Sequence, residues 1–286
     1  MQMRAELALF AMAAIWGSTF VVIKGVLANI SPLLFLAARF TIAAAVLWAL
    51  YAQKLRRTAL KGGILAGLLL FTAFVFQTEG LALTTPAKSA FLTGLSIPLI
   101  PLISSCVYQT RPKAYEVLGI LVASLGMAFM TLPSGKFAMT AGDFLSLLCA
   151  ITFAFHFVVI GHFSRVEGFE TLAVIQVSVA AVLGFLSAFL FGGIRFHPTP
   201  GLAVATLATG VLATALAFTT LAWAQQHTGT TRAALILALE PAVAWLTSYV
   251  ATGEILSSRG KIGAGLILAG VLLVELRPGK PEIQEI

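Results

Sequence analysis

The 286-residue chain is a succession of apolar runs, each about 20 residues long, separated by short polar or Pro/Gly-containing breaks. Roughly 20 helical residues at 1.5 Å each match the hydrocarbon thickness of a bilayer, so every run is a candidate transmembrane helix. The pattern predicts about ten spans, at roughly residues 6–26, 32–52, 62–83, 87–108, 114–132, 142–161, 169–191, 201–224, 230–252 and 260–276. Short connections make neighbouring spans antiparallel and the whole a helical bundle. The first run begins after Arg4 and has the small residues Ala11, Ala13 and Ala14, like a signal peptide. It continues through Trp16 and Val22 to Lys24, which reads as a full span and not as a cleaved leader.

Composition agrees with this pattern. Hydrophobic residues are 59% and charged residues 10% of the chain, where soluble domains run at about 25% charged. Mean hydropathy is +0.99, and no polar stretch is long enough for a soluble domain. The net charge of +7 sits in short loops, so it reads as topogenic and not as a nucleic-acid surface. Placing the N-terminus in the cytoplasm puts Arg4, the KLRR run (54–57), Lys61, Arg111, Lys113, Arg165, Arg232, Arg277 and Lys280 inside. Lys24, Lys88, Lys136, Arg195, Arg259 and Lys261 are then outside, a bias that favours both termini in the cytoplasm. Cys106 and Cys149 lie in apolar runs away from other ligand-type residues and carry no metal or redox reading.

An internal repeat appears when the chain is folded over near 132–141. STFVVIK (18–24) lies over FHFVVIG (155–161), LTTPAKSAFLTGLSIP (83–98) over QHTGTTRAALILALEP (226–241), and LGILVASLG (118–126) over IGAGLILAG (262–270). Each half holds about five spans. An odd number sends the second copy through the membrane from the opposite side, so the halves are expected to form an inverted repeat. Such repeats in secondary transporters enclose a midplane site and alternate its access. The expected fold is therefore an all-α integral membrane protein of ten transmembrane helices, arranged as two inverted five-helix repeats around a central cavity. The halves are residues 1–135 and 136–276, followed by a cytoplasmic tail at 277–286.

The polar residues inside spans are the candidate site. Glu240, followed by Pro241, falls at mid-membrane depth, where a carboxylate must be protonated, paired or turned to a cavity. Proline should bend that helix and free the carbonyl near Leu237. Arg232, Ile236, Glu240, Ala244 and Thr247 share a face at helical spacing. Arg39 is too deep to snorkel and needs a carboxylate, a carbonyl or an anionic substrate group. Its alternative role is a structural salt bridge. Trp16 and Thr19 in span one offer an aromatic surface and a hydroxyl, or a tight helix contact. Thr72, Phe76 and Glu79 share a face of span three, with Gln77 beside it. Ser89, Thr93 and Ser96 form a hydroxyl stripe, which ordinarily serves helix packing. His156 is a candidate for proton coupling or for a buried hydrogen bond, and Gln176 adds uncharged polar surface. Glu79, His156 and Glu240 are the proton-coupling candidates. Spans five and ten carry small-xxx-small pairs, Gly119/Ala123 and Gly265/Ala269, suited to packing. No phosphate loop, metal cluster or nucleophile–base spacing points to an enzyme or to a cofactor.

AAIWGSTFVVIKG in span one, ARF (38–40), ALEPAVAWL in span nine, and Gly253–Glu254 with the apolar tail through Val271 resemble the paired EamA modules of the drug/metabolite transporter superfamily. The first module departs from this pattern, with Ile97 before Pro98 and no matching GE after span four. The resemblance implies a ten-helix inner-membrane exporter, with four helices of each half around the cavity and the fifth and tenth outside it. Some members export aromatic and other amino acids. The expected partners are thus a small-molecule metabolite, foremost an amino acid, and the lipid bilayer, with no nucleic acid and with the oligomeric state open. The alternatives are a small cationic-drug exporter, disfavoured by the lack of a mid-membrane acid in span one, and a membrane protein that does not transport, such as a lipid-modifying enzyme or sensor.

Overall fold

The computed structural model of the chain describes residues 1–56, 60–84, 86–108, 112–131, 139–191, 193–252 and 258–275. The expected tail at 277–286, together with Arg57, Arg111, Lys136, Gly253 and Glu254, lies outside the described residues, as does the side chain of Lys88. Thirteen α-helices are described, α1 Gln2–Val26, α2 Pro32–Tyr51, α3 Lys61–Leu83, α4 Pro86–Gly94, α5 Ser96–Tyr108, α6 Ala114–Thr131, α7 Ala141–Glu167, α8 Phe169–Phe191, α9 Pro200–Gly210, α10 Ala217–Gln225, α11 Thr230–Leu237, α12 Glu240–Thr252 and α13 Ser258–Glu275. A π-helical turn, Val211–Leu216, joins α9 to α10 without a break.

Six helical stretches are long and apolar enough to cross a membrane: α1, α2 with the short turn after it, α3, α7, α8, and α9 through α10. The other expected spans correspond to α4–α5, α6, α11–α12 and α13. The expectation of continuous fourth and ninth spans is corrected by the structure, because each is two helices meeting at a break. Leu95 N–H reaches back three residues to Leu92 O (3.2 Å), and Ala238 N–H to Leu235 O (3.0 Å). These tighter bonds end one helix before a second can start. Pro98 and Pro241 follow directly, in the opening turns of α5 and α12, where a missing N–H is least harmful. The disruption expected from Pro241 is therefore a change of helix and not a bend within one. Leu95 and Ala238 occupy matching places when the two halves of the sequence are laid over each other.

The helices of one half pack mainly on those of the other. α2 lies along α8, α6 along α13, and α3 along both α7 and α8, while α1 meets α10 and α12. One apolar core holds residues of both halves, from Leu9, Phe35 and Leu70 to Val177, Phe218 and Ile236. Outward faces stay apolar, with Phe189 at 84% and Val250 at 79% exposed, as lipid contact requires. α3 is capped at both ends by other helices. The Glu167 carboxylate at the end of α7 accepts from the backbone N–H groups of Gly62 (2.8 Å) and Gly63 (3.3 Å). Lys24 Nζ donates to the carbonyls of Leu81 (2.7 Å), Ala82 (3.0 Å) and Thr84 (2.9 Å). An acid at the N-terminus and an ammonium at the C-terminus both match the helix dipole and satisfy its end groups.

Close backbone contact decides where the small residues stand. A Cβ on Gly126 would lie 2.6 Å from Gly263 O and 2.7 Å from Ile267 N, and one on Gly270 would lie 2.6 Å from Gly119 O and 2.8 Å from Ala123 N. The sequence repeat pairs Gly119 with Gly263, Ala123 with Ile267 and Gly126 with Gly270, so the α6–α13 contact is reciprocal. A second pair behaves alike. Gly67 faces Gln176 O and Val179, and Gly210 faces Arg39 O and Ile42; the alignment of STFVVIK with FHFVVIG, continued, sets Arg39 over Gln176 and Ile42 over Val179.

Gly126→Ala should therefore push backbone from backbone and lower unfolding stability by about 1–3 kcal/mol. Gly25→Ala, with nothing within 4 Å of its Cβ, should be neutral or stabilising by up to about 1 kcal/mol through helix propensity. Thermal unfolding in detergent, followed by intrinsic fluorescence, separates the two.

Candidate functional site

Arg39 is the starting point because its place in the sequence is the least tolerable. It lies on the buried stripe of α2 with Phe35, Leu36, Phe40, Ala43 and Leu47, and is 1% exposed. Its Nε donates to Thr214 Oγ1 (2.7 Å) and its Nη2 to Ala213 O (3.2 Å), while the guanidinium lies 4.4 Å from the centre of the Phe74 ring. Among the described residues no carboxylate comes within ion-pair distance of it. Of the partners open to Arg39 from sequence, the structure supplies a carbonyl, together with a hydroxyl and an aromatic face. Hydrogen bonds to charged groups are worth about 1.5–3 kcal/mol each, and a desolvated cation–π contact about 2 kcal/mol, which together offset much of the burial of the charge.

The carbonyl comes from an irregular segment. In a regular helix each carbonyl bonds along the helix axis; the six-residue π-turn at Val211–Leu216 widens the coil. Ala213 O there accepts from Trp16 Nε1 (2.9 Å) as well as from Arg39. Thr214 Oγ1 in turn donates to Thr209 O (2.9 Å). One turn of the second half thus holds an indole of α1 and a guanidinium of α2.

Around this anchor lies a cavity of about 70 Å³, room for several waters at about 10–15 Å³ each. Trp16, Thr19 and Phe20 of α1, Arg39, and Phe74 and Gln77 of α3 form one side. The breaks in α4–α5 and α11–α12 contribute Thr93, Gly94, Ser96, Leu237 and Glu240, and α7 and α10 contribute Phe153, Phe157 and Phe218. The rings interlock. Phe218 is 5.3 Å from Trp16 and 5.9 Å from Phe74, and Phe74 is 5.3 Å from Phe153, mostly edge to face.

Of the residues singled out in the sequence, Trp16, Thr19, Arg39, Gln77 and Glu240 line this cavity together, joined by Thr93 and Ser96 of the hydroxyl stripe. Phe76 and Glu79 are half-buried and outside its wall. Phe74, two residues earlier and so on another face of α3, supplies the ring instead. Ser89 is buried in the α4–α7 seam, its hydroxyl 3.2 Å from that of Ser146. His156 Nε2 and Gln176 Oε1 are 2.9 Å apart and fully buried behind the wall, with the imidazole 5.6 Å from Phe218 and 6.1 Å from Phe153. Arg232 leaves the face it was expected to share with Glu240. The break at Ala238 and Leu239 separates them, and Arg232 Nη1 pairs with Glu6 of α1 at 3.4 Å. Phe153, Phe157 and Phe218 were not singled out from sequence. Their signal was the one-turn spacing of Phe153 and Phe157, which lipid-facing and packing rings share.

The profile of the EamA-like transporter family matches this chain twice, over residues 3–132 and 140–276. An uncharacterized transporter of Archaeoglobus fulgidus is 35% identical over 273 residues, covering 96% of this chain and 86% of that protein. The Escherichia coli inner membrane transporter YedA is 26% identical, with 96% and 93% covered, and the Bacillus subtilis transporter YdfC is 24% identical, with 94% and 90% covered. A crystal structure with 22% identity shares the fold at a TM-score of 0.81, covering 96% of this chain and 98% of the other. The chain belongs to the EamA-like transporter family. It is a multi-pass membrane protein.

Replacing Arg39 by Lys removes the Nε donor and the planar fork. The variant should unfold about 1–3 kcal/mol more easily, whereas Glu79→Gln, outside the wall, should stay within about 0.5 kcal/mol. Chemical unfolding in detergent of the two variants beside the parent measures the difference.

Proposed function

We propose that this protein is a secondary active transporter of the inner membrane that exports small organic metabolites, foremost neutral and aromatic amino acids. One observation carries the substrate class: a guanidinium and a carboxylate, Arg39 and Glu240, line the same aromatic-walled cavity. A zwitterion presents the complementary pair. Arg39 would take the α-carboxylate, Glu240 would face the ammonium, and Trp16, Phe74, Phe153 and Phe218 would pack on the side chain. Thr19 and Gln77 add hydrogen bonds. Glu79, His156 and Glu240 are the groups proposed to couple protons, Glu240 from within the wall and His156 from behind it.

Movement is proposed to be alternating access between two inverted halves, residues 1–135 and 136–276, each with five membrane crossings and both termini in the cytoplasm. Three features support this. The family profile matches each half; the helix breaks stand at matching places; and the glycine contacts of α6 with α13, and of α3 with α8 and α9 with α2, are reciprocal. Reciprocal contacts are what a two-fold axis in the membrane plane produces between copies of opposite orientation.

Reconstitution into liposomes and counterflow with labelled L-amino acids, sugars and organic cations tests the reading. Saturable exchange of amino acids is expected, with Arg39→Gln losing at least about tenfold in kcat/KM, about 1.4 kcal/mol. Saturable exchange of organic cations alone would overturn it. A proton gradient should drive amino acid flux in the parent and fail to do so in at least one of Glu79→Gln, His156→Ala and Glu240→Gln.

A further inference from the structure

The π-turn at Val211–Leu216 is held open by side chains from the other half. Ala213 and Thr214 are fully buried, and the three bonds that reach them from outside come from Arg39 Nε, Arg39 Nη2 and Trp16 Nε1. A π-turn packs its backbone less well than an α-helix and contains one extra residue. That extra residue has a direct effect on the cavity. Following the helix up from Gly210, a regular α-helix would give Ala217 the position in the wall that Phe218 now occupies. Phe218 would turn away by roughly 100°, the angle between successive residues of an α-helix.

Arg39 therefore already has an occupant. Thr214 Oγ1 and Ala213 O sit on the donors that a substrate carboxylate would use. We propose that the π-turn is an internal surrogate for the substrate: a carboxylate that binds Arg39 displaces Thr214 and Ala213, the turn closes to regular α-helix, and Ala217 replaces Phe218 in the wall. The swap exchanges an aromatic ring for a methyl group and enlarges the chamber as the ligand enters. It also rotates α10 at its far end, where Gln225 O accepts from Arg165 Nη2 (3.1 Å) and Gln226 Nε2 donates to Ser164 O. Binding at Arg39 is thereby linked to the contact of α10 with α7. Thr214 is a positioning residue in this scheme, acting through the guanidinium. The proposal rests on the reading of Arg39 as the carboxylate site.

Its test uses the full chain in liposomes with Cys106→Ser and Cys149→Ala, carrying Ala217→Cys as a reporter. Ala217 is fully buried in the present arrangement, so a small thiosulfonate reagent should modify the reporter slowly. Thr214→Val removes the acceptor for Nε and should speed modification about tenfold without any substrate, while Thr214→Ser, which keeps the hydroxyl, should return the parental rate. Trp16→Phe removes the indole donor to Ala213 O and serves as a second variant should Thr214→Val not fold. An unchanged rate in the variants overturns the proposal, as does equal acceleration by Thr214→Ser. In the parent, a transported amino acid should accelerate modification and Thr214→Val should lower KM about tenfold; exchange without either effect overturns the coupling. Faster modification in Thr214→Val with no amino acid exchange in the parent would keep the helix switch and reject the substrate assignment.

Discussion

A guanidinium buried in a membrane protein has to be hydrogen-bonded, and much of this structure follows from how Arg39 meets that requirement. Its partners are not acids. A regular helix offers few spare acceptors, because its carbonyls are used along its own axis; the irregular turn between α9 and α10 supplies one, beside a threonine hydroxyl. Trp16 uses the same carbonyl, so α1, α2 and the second half meet at one atom. Phe74 covers the open face of the cation. The cavity is the space left around this junction, and its aromatic walls follow from the rings that shield the charge.

The helix breaks are the second constraint. Four helices end or begin at the cavity, α4, α5, α11 and α12, and their termini bring Gly94, Ser96, Leu237 and Glu240 to its edge. Broken helices expose backbone polar groups where lipid would not tolerate them, so they are confined to the interior between the halves. This explains how Glu240 comes to line a chamber while Arg232, only two turns away in sequence, reaches Glu6 on α1.

Much of the helical architecture was legible in the sequence because bilayer thickness imposes a length on every apolar run. Helices α1, α2, α3 and α8 begin and end close to where the polar breaks fall, while α7 runs past the expected end at 161 to Glu167. Gly119 and Ala123 of span five take the packing role their spacing suggested, whereas the pair named in span ten, Gly265 and Ala269, faces outward and Gly263 and Gly270 make the contact instead. Less visible were features that depend on partners distant in sequence. Nothing in VLATAL marks a π-turn, because that turn is held by Arg39 and Trp16. Phe74 was passed over for Phe76 because helical spacing fixes which residues share a face and leaves open which face turns inward. His156 and Gln176 were both noted, but their contact with each other, behind the wall and not in it, depends on the packing of α7 against α8. Lys24 could reach the interface by snorkelling; its use as a cap for α3 depends on where that helix ends.

The seam between α6 and α13 stands apart from the cavity, and there the two helices touch main chain to main chain. Ile267 packs directly against Gly126, and in the proposed rocking of the halves contacts this close leave the least room for displacement here. Displacement then grows with distance from the axle. In that proposed motion Gly126 and Gly270 would move least and the far walls of the chamber most, so the seam would act as the pivot of its sealing.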